Sequence, residues 1–471
     1  MAEKAELVVI GGGPGGYAAA FHAADLGINT ILIDPEKNPG GVCLYRGCIP
    51  SKALLHLVKL KKNARQAEEF GVKFDDPKID LKKIREWKDG VVTQLTGGLG
   101  QLSKQRKVKH IRGTASFKDS HRLIINNGKD ESEIEFKHAI IATGSKPASL
   151  PGIDLEDDRI MYSARGLDLE DIPNKLLIVG AGYIGLEMAT IYQGLGSKVF
   201  LAEMTDELMP GADRDLVKVF EKSNQDLFEE KFLSTKVSDI KAQKKQLAVT
   251  LENKDGKSEE KKFDKVLIAI GRKPNTLKIG LEAAGVELND KKIIQVNAQR
   301  QTSQSHIFAI GDVAGEPMLA HKASHEGRIA AEVIAGKKSA YEPYAIPAVV
   351  FTDPELAWAG LTEMEAKEQN VNYKVAKFPW AASGRALTLG KKDGITKLIL
   401  EKDTERILGI GIAGVHAGDM IPEGVLAIEM GAVARDLSLT IHPHPTLSET
   451  IMEAAESFYG SATHFFKKQK K

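Results

Sequence analysis

Apolar runs of three to five residues that break into glycine, each followed by a small-residue stretch, predict parallel strands alternating with helices. Leu7-Val8-Val9-Ile10 is one such run. It opens into Gly11-Gly12-Gly13-Pro14-Gly15-Gly16 and then a helical stretch carrying Ala18, Ala19, Ala20, Ala23 and Ala24. Gly27 ends that helix, and Thr30-Ile31-Leu32-Ile33-Asp34 reads as the next strand. The pattern returns later: Leu177-Ile178-Val179 runs into Gly180-Ala181-Gly182-Tyr183-Ile184-Gly185, a helix, Gly196, and the strand Lys198-Val199-Phe200-Leu201-Ala202-Glu203. Glycines, helix-ending glycine and terminal acid fall at identical offsets in the two copies.

A lone G-x-G-x-x-G is a weak signal, but here each copy has its strand before, its helix after and an acid about 20 residues on. Each part has a task in holding a dinucleotide. Gly11 and Gly180 make the tight turn, Gly13 and Gly182 let backbone approach a pyrophosphate, and Gly16 and Gly185 pack helix on strand. The helix N-terminus presents unpaired N–H groups and the positive end of its dipole to the phosphates. Asp34 and Glu203 are placed to accept hydrogen bonds from ribose hydroxyls. At Glu203 a carboxylate pairs with free 2′- and 3′-hydroxyls and repels a 2′-phosphate, so the second copy reads as an NAD site rather than an NADP site.

A fainter repeat supports the duplication. Phe136 to Pro147 parallels Phe263 to Pro274, each a buried strand ending in glycine, at Gly144 and Gly271. The first unit is therefore left near Gly144 and the second spans about 147–271. From about 346 onward Val349, Val350 and Phe351 read as one strand and Leu398, Ile399 and Leu400 as another, in a separate domain.

At 471 residues the chain has room for about three domains at roughly 150 residues each. Its 65 basic and 64 acidic residues nearly cancel, which leaves no electrostatic case for nucleic acid or an anionic membrane as main partner. The basic run Lys467 to Lys471 reads as a solvated tail. The start, Met1 to Glu6, has neither the apolar stretch of a secretory signal nor the acid-poor character of a transit peptide, so a cytoplasmic chain is expected. A processed organellar protein would read the same way.

There are two cysteines, Cys43 and Cys48, in Cys43-Leu44-Tyr45-Arg46-Gly47-Cys48-Ile49-Pro50-Ser51-Lys52. Five residues apart on an ideal helix, their Cα atoms would be about 8.6 Å apart, beyond the roughly 7 Å that a disulfide spans. The pair can bridge only across a distorted turn, which Gly47 and Pro50 permit, and such a bridge is readily reduced. A helix N-terminus nearby would favour thiolate. A structural disulfide and a zinc site remain open beside the redox reading. Zinc needs two more ligands, and His442 and His444 are the only close histidine pair. Redox chemistry suits a large chain with few cysteines best.

Gly40-Gly41-Val42-Cys43 through Lys52, taken with the duplicated nucleotide units, resembles the pyridine nucleotide-disulfide oxidoreductase family over essentially the whole chain. The ending Cys48-Ile49-Pro50-Ser51-Lys52 is similar to the branch that oxidises dihydrolipoamide with NAD as acceptor. The family commonly has Thr before the first cysteine and Asn-Val inside the loop, where this chain has Val42 and Tyr45-Arg46. The resemblance implies an α/β fold: two Rossmann-like domains and an α+β dimerisation domain. Residues 1–146 and 272–345 would form an FAD-binding domain, 147–271 an NAD-binding domain and 346–471 the interface domain of a homodimer.

It also implies roles. Gly11, Gly13, Gly16 and Asp34 would hold the adenosine and pyrophosphate end of FAD, and Lys52 would pair with Glu187 beside the flavin ring. Gly113, Thr114, Ala115, Thr143, Gly144, Asp312 and Ala320 would be further FAD contacts, with Asp312 on the ribitol. Gly180, Gly182, Ile184, Gly185, Glu187, Glu203, Val237 and Gly271 would serve NAD. Cys48 would lie against the flavin while Cys43 exchanges with substrate through the disulfide.

Thiol exchange needs a base, and His442-Pro443-His444-Pro445-Thr446-Leu447-Ser448-Glu449 offers imidazoles that titrate near neutrality. The resemblance assigns His444 as base, acting on the cysteines of the other subunit, and Glu449 as the carboxylate that orients it. Read alone, Thr446 to Glu449 is a capping box opening the last helix; beside His444 the catalytic reading is favoured. His442 reads as structural. Substrate would arrive on a lipoyl-bearing acyltransferase of a 2-oxo acid dehydrogenase complex, or through a glycine cleavage system. Glutathione reductase would prefer NADP, mercuric reductase would carry cysteines near the C-terminus, and small thioredoxin reductases lack this Cys-x4-Cys placement. A non-catalytic nucleotide-bound scaffold or sensor would not need both thiols, His444 and Glu449.

Overall fold

The computed structural model describes residues 3–128, 130–153 and 156–466. Met1, Ala2 and the basic run Lys467 to Lys471 lie outside the described residues. The strand Glu3–Ile10 sits inside a seven-stranded sheet, parallel to Thr30–Asp34 on one side and to Glu131–Ile141 on the other. Leu7, Val8, Val9 and Ile10 are at most 3% exposed, as a strand covered on both faces requires. Arg122–Asn126 and Thr114–Asp119 extend the sheet antiparallel beyond Glu131–Ile141.

After Ile141 the chain leaves this sheet, and it returns as Ile307–Ala309, parallel to Glu131–Ile141. Between lies a second, five-stranded parallel sheet centred on Lys175–Val179, Lys198–Ala202 and Lys265–Ile268. An antiparallel meander, Thr235–Ala242, Leu247–Asn253 and Ser258–Phe263, packs on it. The outgoing and returning connections lie side by side: Ser145–Pro147 pairs antiparallel with Arg272–Pro274. One nucleotide unit is thus inserted into the other through a two-stranded neck.

The third sheet is antiparallel, five-stranded, and runs from Ala348–Val350 to Ile407–Gly414, with the helices Ala417–Glu429 and Glu449–Tyr459 in the same core. Phe351, expected within its first strand, lies one residue past the end of Ala348–Val350. The reason is that its N–H donates to the Glu187 carboxylate at 3.1 Å instead of to a ladder partner. Among the described residues no helix is long and apolar enough to cross a membrane.

Candidate active site

The two glycine cradles are superposable in their steric demands. Gly11 and Gly180 have φ of +107° and +105°, and a Cβ there would meet the Ala142 and Ala269 carbonyl oxygens at 2.3 and 2.5 Å. A Cβ on Gly16 or Gly185 would lie 1.8 or 2.0 Å from the oxygen of Gly11 or Gly180. At Gly13 and Gly182 a Cβ would meet nothing within 4 Å, so these two face open space where a phosphate can approach. The helices Pro14–Asp25 and Tyr183–Leu195 that follow have no side-chain N-cap, which leaves their first N–H groups for a ligand. The acids also match. Asp34 accepts from the Gly12 and Glu36 N–H groups at 2.6 and 2.9 Å, and Glu203 from those of Ala181 and Thr205 at 2.7 and 2.8 Å.

A cavity of about 420 Å³ opens from the first cradle. Gly11, Gly13, Asp34, Cys43, Cys48, Lys52, Gly113, Thr114, Ala115, Thr143, Gly144, Asp312 and Ala320 all line it. So do Ile184 and Glu187 of the second unit, expected on the nicotinamide side. Gly16 packs behind, against Gly11. Gly180, Gly182, Gly185, Glu203 and Gly271 stand apart from this cavity, and Val237 is buried in a core with Val179 and Ala202. A second uncapped helix, Ala320–Ile334, starts at the cavity wall and packs so tightly on the first that a Cβ at Gly15 would be 3.0 Å from Ala323. A cavity lined by two uncapped helix starts, an open glycine and the Asp34 carboxylate suits an anionic dinucleotide such as FAD.

The cysteines lie on two helices, not one. Cys43 is in Gly41–Arg46 and Cys48 begins Cys48–Gln66, with Gly47 at φ −143° and ψ −110° breaking the helical path between them. A Cβ at Gly47 would lie 2.9 Å from the Val42 oxygen. Pro50 falls in the first turn of the longer helix, where its missing N–H costs nothing. Both cysteines are free thiols in the structure, and they bond to each other. The Cys43 thiol donates to Cys48, which together with burial holds Cys43 far above the usual thiol range. Cys48 is lowered to about 7, first by that hydrogen bond and then, against the effect of burial, by the Lys52 charge. Neither cysteine belongs to a group of three or more converging metal ligands among the described residues, where Asp213, Asp215 and Glu363 form the one such group.

Lys52 donates to both Glu187 oxygens, at 3.0 and 2.9 Å, and its Nζ lies 4.5 Å from the centre of the Phe351 ring. Three distant segments therefore meet beside the thiols. Asp312 is bonded by the Ser145 hydroxyl, which accepts from Arg272 Nε at 2.6 Å. The preceding Gly311 N–H donates to the fully buried Glu326 carboxylate at 2.6 Å, and Arg300 and Lys322 neutralise that carboxylate at 2.8 and 3.0 Å. Ser145, Arg272, Glu326 and Phe351 escaped the sequence reading. Ser145 and Arg272 each follow the glycine that ends the fainter repeat, which was the available signal.

His444 Nδ1 lies 2.9 Å from Glu449 Oε1. Glu449 is the first residue of the helix Glu449–Tyr459, and its other oxygen accepts from the Thr446 N–H at 2.7 Å. The carboxylate thus performs one half of the capping box while holding the histidine; the Thr446 hydroxyl donates instead to the Pro443 carbonyl. Burial raises the Glu449 pKa, but the bonds from Thr446 and His444 outweigh it and keep the group below the ordinary carboxylate range. His442 is fastened between Glu423 and the Thr440 carbonyl, at 2.7 and 2.8 Å. The His444 side chain is 70% exposed, and neither it nor Glu449 lines the cavity that holds the cysteines. One chain does not bring His444 to the thiols.

Comparison with known proteins agrees with this geometry. Residues 5–327 match the family model described as pyridine nucleotide-disulphide oxidoreductase, and residues 346–455 match the dimerisation domain of the same family. The chain belongs to that family. It is 48% identical over 460 residues to dihydrolipoyl dehydrogenase of Vibrio cholerae serotype O1, covering 98% of this chain and 97% of the relative. The dihydrolipoyl dehydrogenase of Haemophilus influenzae is also 48% identical, over 98% of this chain and 96% of its own length. Among solved structures, LpdA from Mycobacterium tuberculosis superposes with a TM-score of 0.89 at 27% identity, over 96% of this chain and 99% of that one.

Proposed function

We propose that this chain oxidises protein-bound dihydrolipoamide to lipoamide, with NAD as acceptor. The observation that carries the reading is the thiol pair at the wall of a dinucleotide cavity, tuned by Lys52 and Glu187, in a chain so close to dihydrolipoyl dehydrogenases. FAD bound in that cavity supplies the two-electron relay between thiols and nicotinamide. The protein supplies position and thiol tuning. Gly11, Gly13 and Asp34 would hold the adenosine and pyrophosphate end, and Asp312, set by Ser145 and by Gly311, would hold the ribitol. Gly180, Gly182 and Glu203 receive NAD, Glu203 selecting free ribose hydroxyls.

In the resting oxidised chain, Cys43 and Cys48 form a disulfide. His444 takes a proton from the incoming dithiol, and the resulting thiolate attacks Cys43 and releases Cys48 as thiolate. The second substrate thiol then displaces Cys43, so that the substrate leaves as a cyclic disulfide and both cysteines are reduced. Lys52 stabilises the Cys48 thiolate, and Glu449 keeps the imidazole oriented with Nε2 free.

The exposed histidine requires a second copy of the chain. The same domain exposes Leu426, Met430, Leu439 and Ile441, at 62, 76, 64 and 95%, and the His442–Glu423 bond ties the histidine segment to the helix that carries Leu426. A homodimer that seats these residues would present His444 to the partner's thiols. The electron donor is a lipoyl-bearing acyltransferase of a 2-oxo acid dehydrogenase complex, or the lipoyl carrier of a glycine cleavage system, met in the cytoplasm.

Purified protein should be yellow, should reduce NAD with dihydrolipoamide, and should leave NADP nearly unused. The Cys48→Ser variant should keep its flavin and lose turnover. A Cys48→Ser protein that turns over lipoamide as fast as its parent would remove the mechanism.

A further inference from the structure

Two charged residues that line the flavin cavity, Arg46 and the Glu36 paired with it, have no task in that reading. Arg46 ends the helix Gly41–Arg46, two residues before Cys48, and lines the same cavity as Gly13, Asp34 and Cys48. Its guanidinium pairs with Glu36, whose N–H in turn donates to Asp34 Oδ1 at 2.9 Å. Beside it, the Tyr45 hydroxyl donates to the Asn38 carbonyl at 3.0 Å. Tyr45 and Arg46 are the residues that depart from the Asn-Val of the family loop. Both reach back to the segment after Asp34, the adenosine end of the cavity, and not toward the sulfurs.

The electrostatics follow the geometry. Arg46 is among the charges that act on Asp34, whereas the cation acting on both thiols is Lys52. The other cations lining this cavity, among the described residues, are held elsewhere, Lys52 by Glu187 beside the thiols and Arg272 by the Ser145 hydroxyl and carbonyl, whereas Glu36 holds Arg46 next to Asp34. Helix starts contribute only partial charges toward a ligand that carries two negative charges. Arg46 is bound to Glu36 by a pair whose side chains are 45% and 30% exposed. Such a half-solvated pair is weak and readily exchanged, while a guanidinium on a phosphate forms a strong, bidentate contact.

We propose that Arg46 is an anion anchor for the diphosphate of the flavin nucleotide, held beside its seat by Glu36. This rests on the flavoprotein reading above. It assigns the departure from the family loop to cofactor retention, through residues that also fix the chain between the two cysteines.

The test is flavin release from holoenzyme, followed by the rise in flavin fluorescence on dilution. Arg46→Gln should release FAD about tenfold faster than its parent at low salt, the loss of one charge-assisted contact. At about 1 M salt, where the Debye length is about 3 Å, the two rates should converge. Arg46→Lys keeps the charge and should recover most of the retention, with circular dichroism of all three proteins alike. Release from Arg46→Gln within twofold of the parent at low salt would overturn the proposal. So would an acceleration of equal size at low and high salt, or an Arg46→Lys protein as leaky as Arg46→Gln. A parent protein that carries no flavin at all would instead remove the flavoprotein reading on which the proposal stands.

Discussion

Replacing Lys52 by Met isolates how the cysteine pair is tuned. Lys52 lies one turn beyond Cys48 on the helix Cys48–Gln66, so the two side chains are i, i+4 neighbours about 6 Å apart. A unit charge at about 6 Å and an effective dielectric of about 20 is worth about 3 kcal/mol, or about two pKa units. Cys48 is exposed to the cavity, and solvent screening brings this to about one unit. The sign is fixed: removing a cation disfavours the thiolate, and Glu187, left behind without its partner, acts on Cys48 in the same direction. The Cys48 titration, lowered to about 7 in the parent, should therefore move up by about one unit. Iodoacetamide modification of the reduced protein against pH reads this directly. Trypsin cleaves after Arg46 and so separates Cys43 from Cys48 into different peptides, and mass spectrometry gives each thiol its own midpoint. Glu187→Gln should shift the Cys48 midpoint down. A Lys52→Met midpoint that stays put or falls would refute the account of Lys52 as the cation that holds the thiolate.

Three further outcomes follow from the same geometry. His444→Gln should slow dihydrolipoamide oxidation at least a hundredfold, on the order of what general-base catalysis contributes, while the flavin spectrum stays normal. Co-expressed with Cys48→Ser chains, it should regain about a quarter of parental activity, because random pairing makes half the dimers mixed and each mixed dimer has one whole site of two; no recovery would place the base in its own subunit. Lys397 is 0% exposed and bonded to Asp213, Asp215 and Glu363 at 2.8, 3.0 and 2.9 Å. Lys397→Met leaves the buried Asp213 without its cation and leaves Asp215 and Glu363 to Lys377 alone, and should cost about 3 kcal/mol in chemical denaturation; a change under about 1 kcal/mol would show that the acids are solvated.

The cradles were legible because their chemistry is steric and local. Gly11, Gly16, Gly180 and Gly185 admit no Cβ, so the spacing of glycines in the sequence is a direct print of the backbone. The cysteines were legible for a related reason: a helix cannot bridge them, and Gly47 is where it breaks. Residues that act through long-range convergence left no such print. Phe351 reads as an ordinary strand residue, and only the folded chain shows its N–H and ring meeting the Glu187 and Lys52 pair. Glu326 belongs to no motif of the sequence, and its bonds depend on Gly311, Arg300 and Lys322 arriving around it. At Glu449 the two readings of the sequence, cap and orienting group, were not rivals, because a carboxylate has two oxygens and each takes one task.

The two cradles share their backbone, so whatever separates their ligands must lie outside the repeat. The first unit receives the returning segment from Ile307 to Ile334, which brings Asp312 and a second uncapped helix start to its cavity. It also carries the cysteine helix, whose Val58 packs so closely on the second unit that a Cβ at Gly194 would be 2.7 Å from it. These additions wall the first cavity and suit it to a nucleotide that stays. In the second unit a Cβ on Gly182 would meet nothing within 4 Å, and Glu203 closes the cradle's second strand, which suits a nucleotide that exchanges with each turnover. Ile184 and Glu187 project from that cradle's helix into the first cavity. The neck of Ser145–Pro147 and Arg272–Pro274 joins the two units at this point, and its Ser145 and Arg272 line the first cavity as well, so the same short pairing that connects the units also sets Asp312.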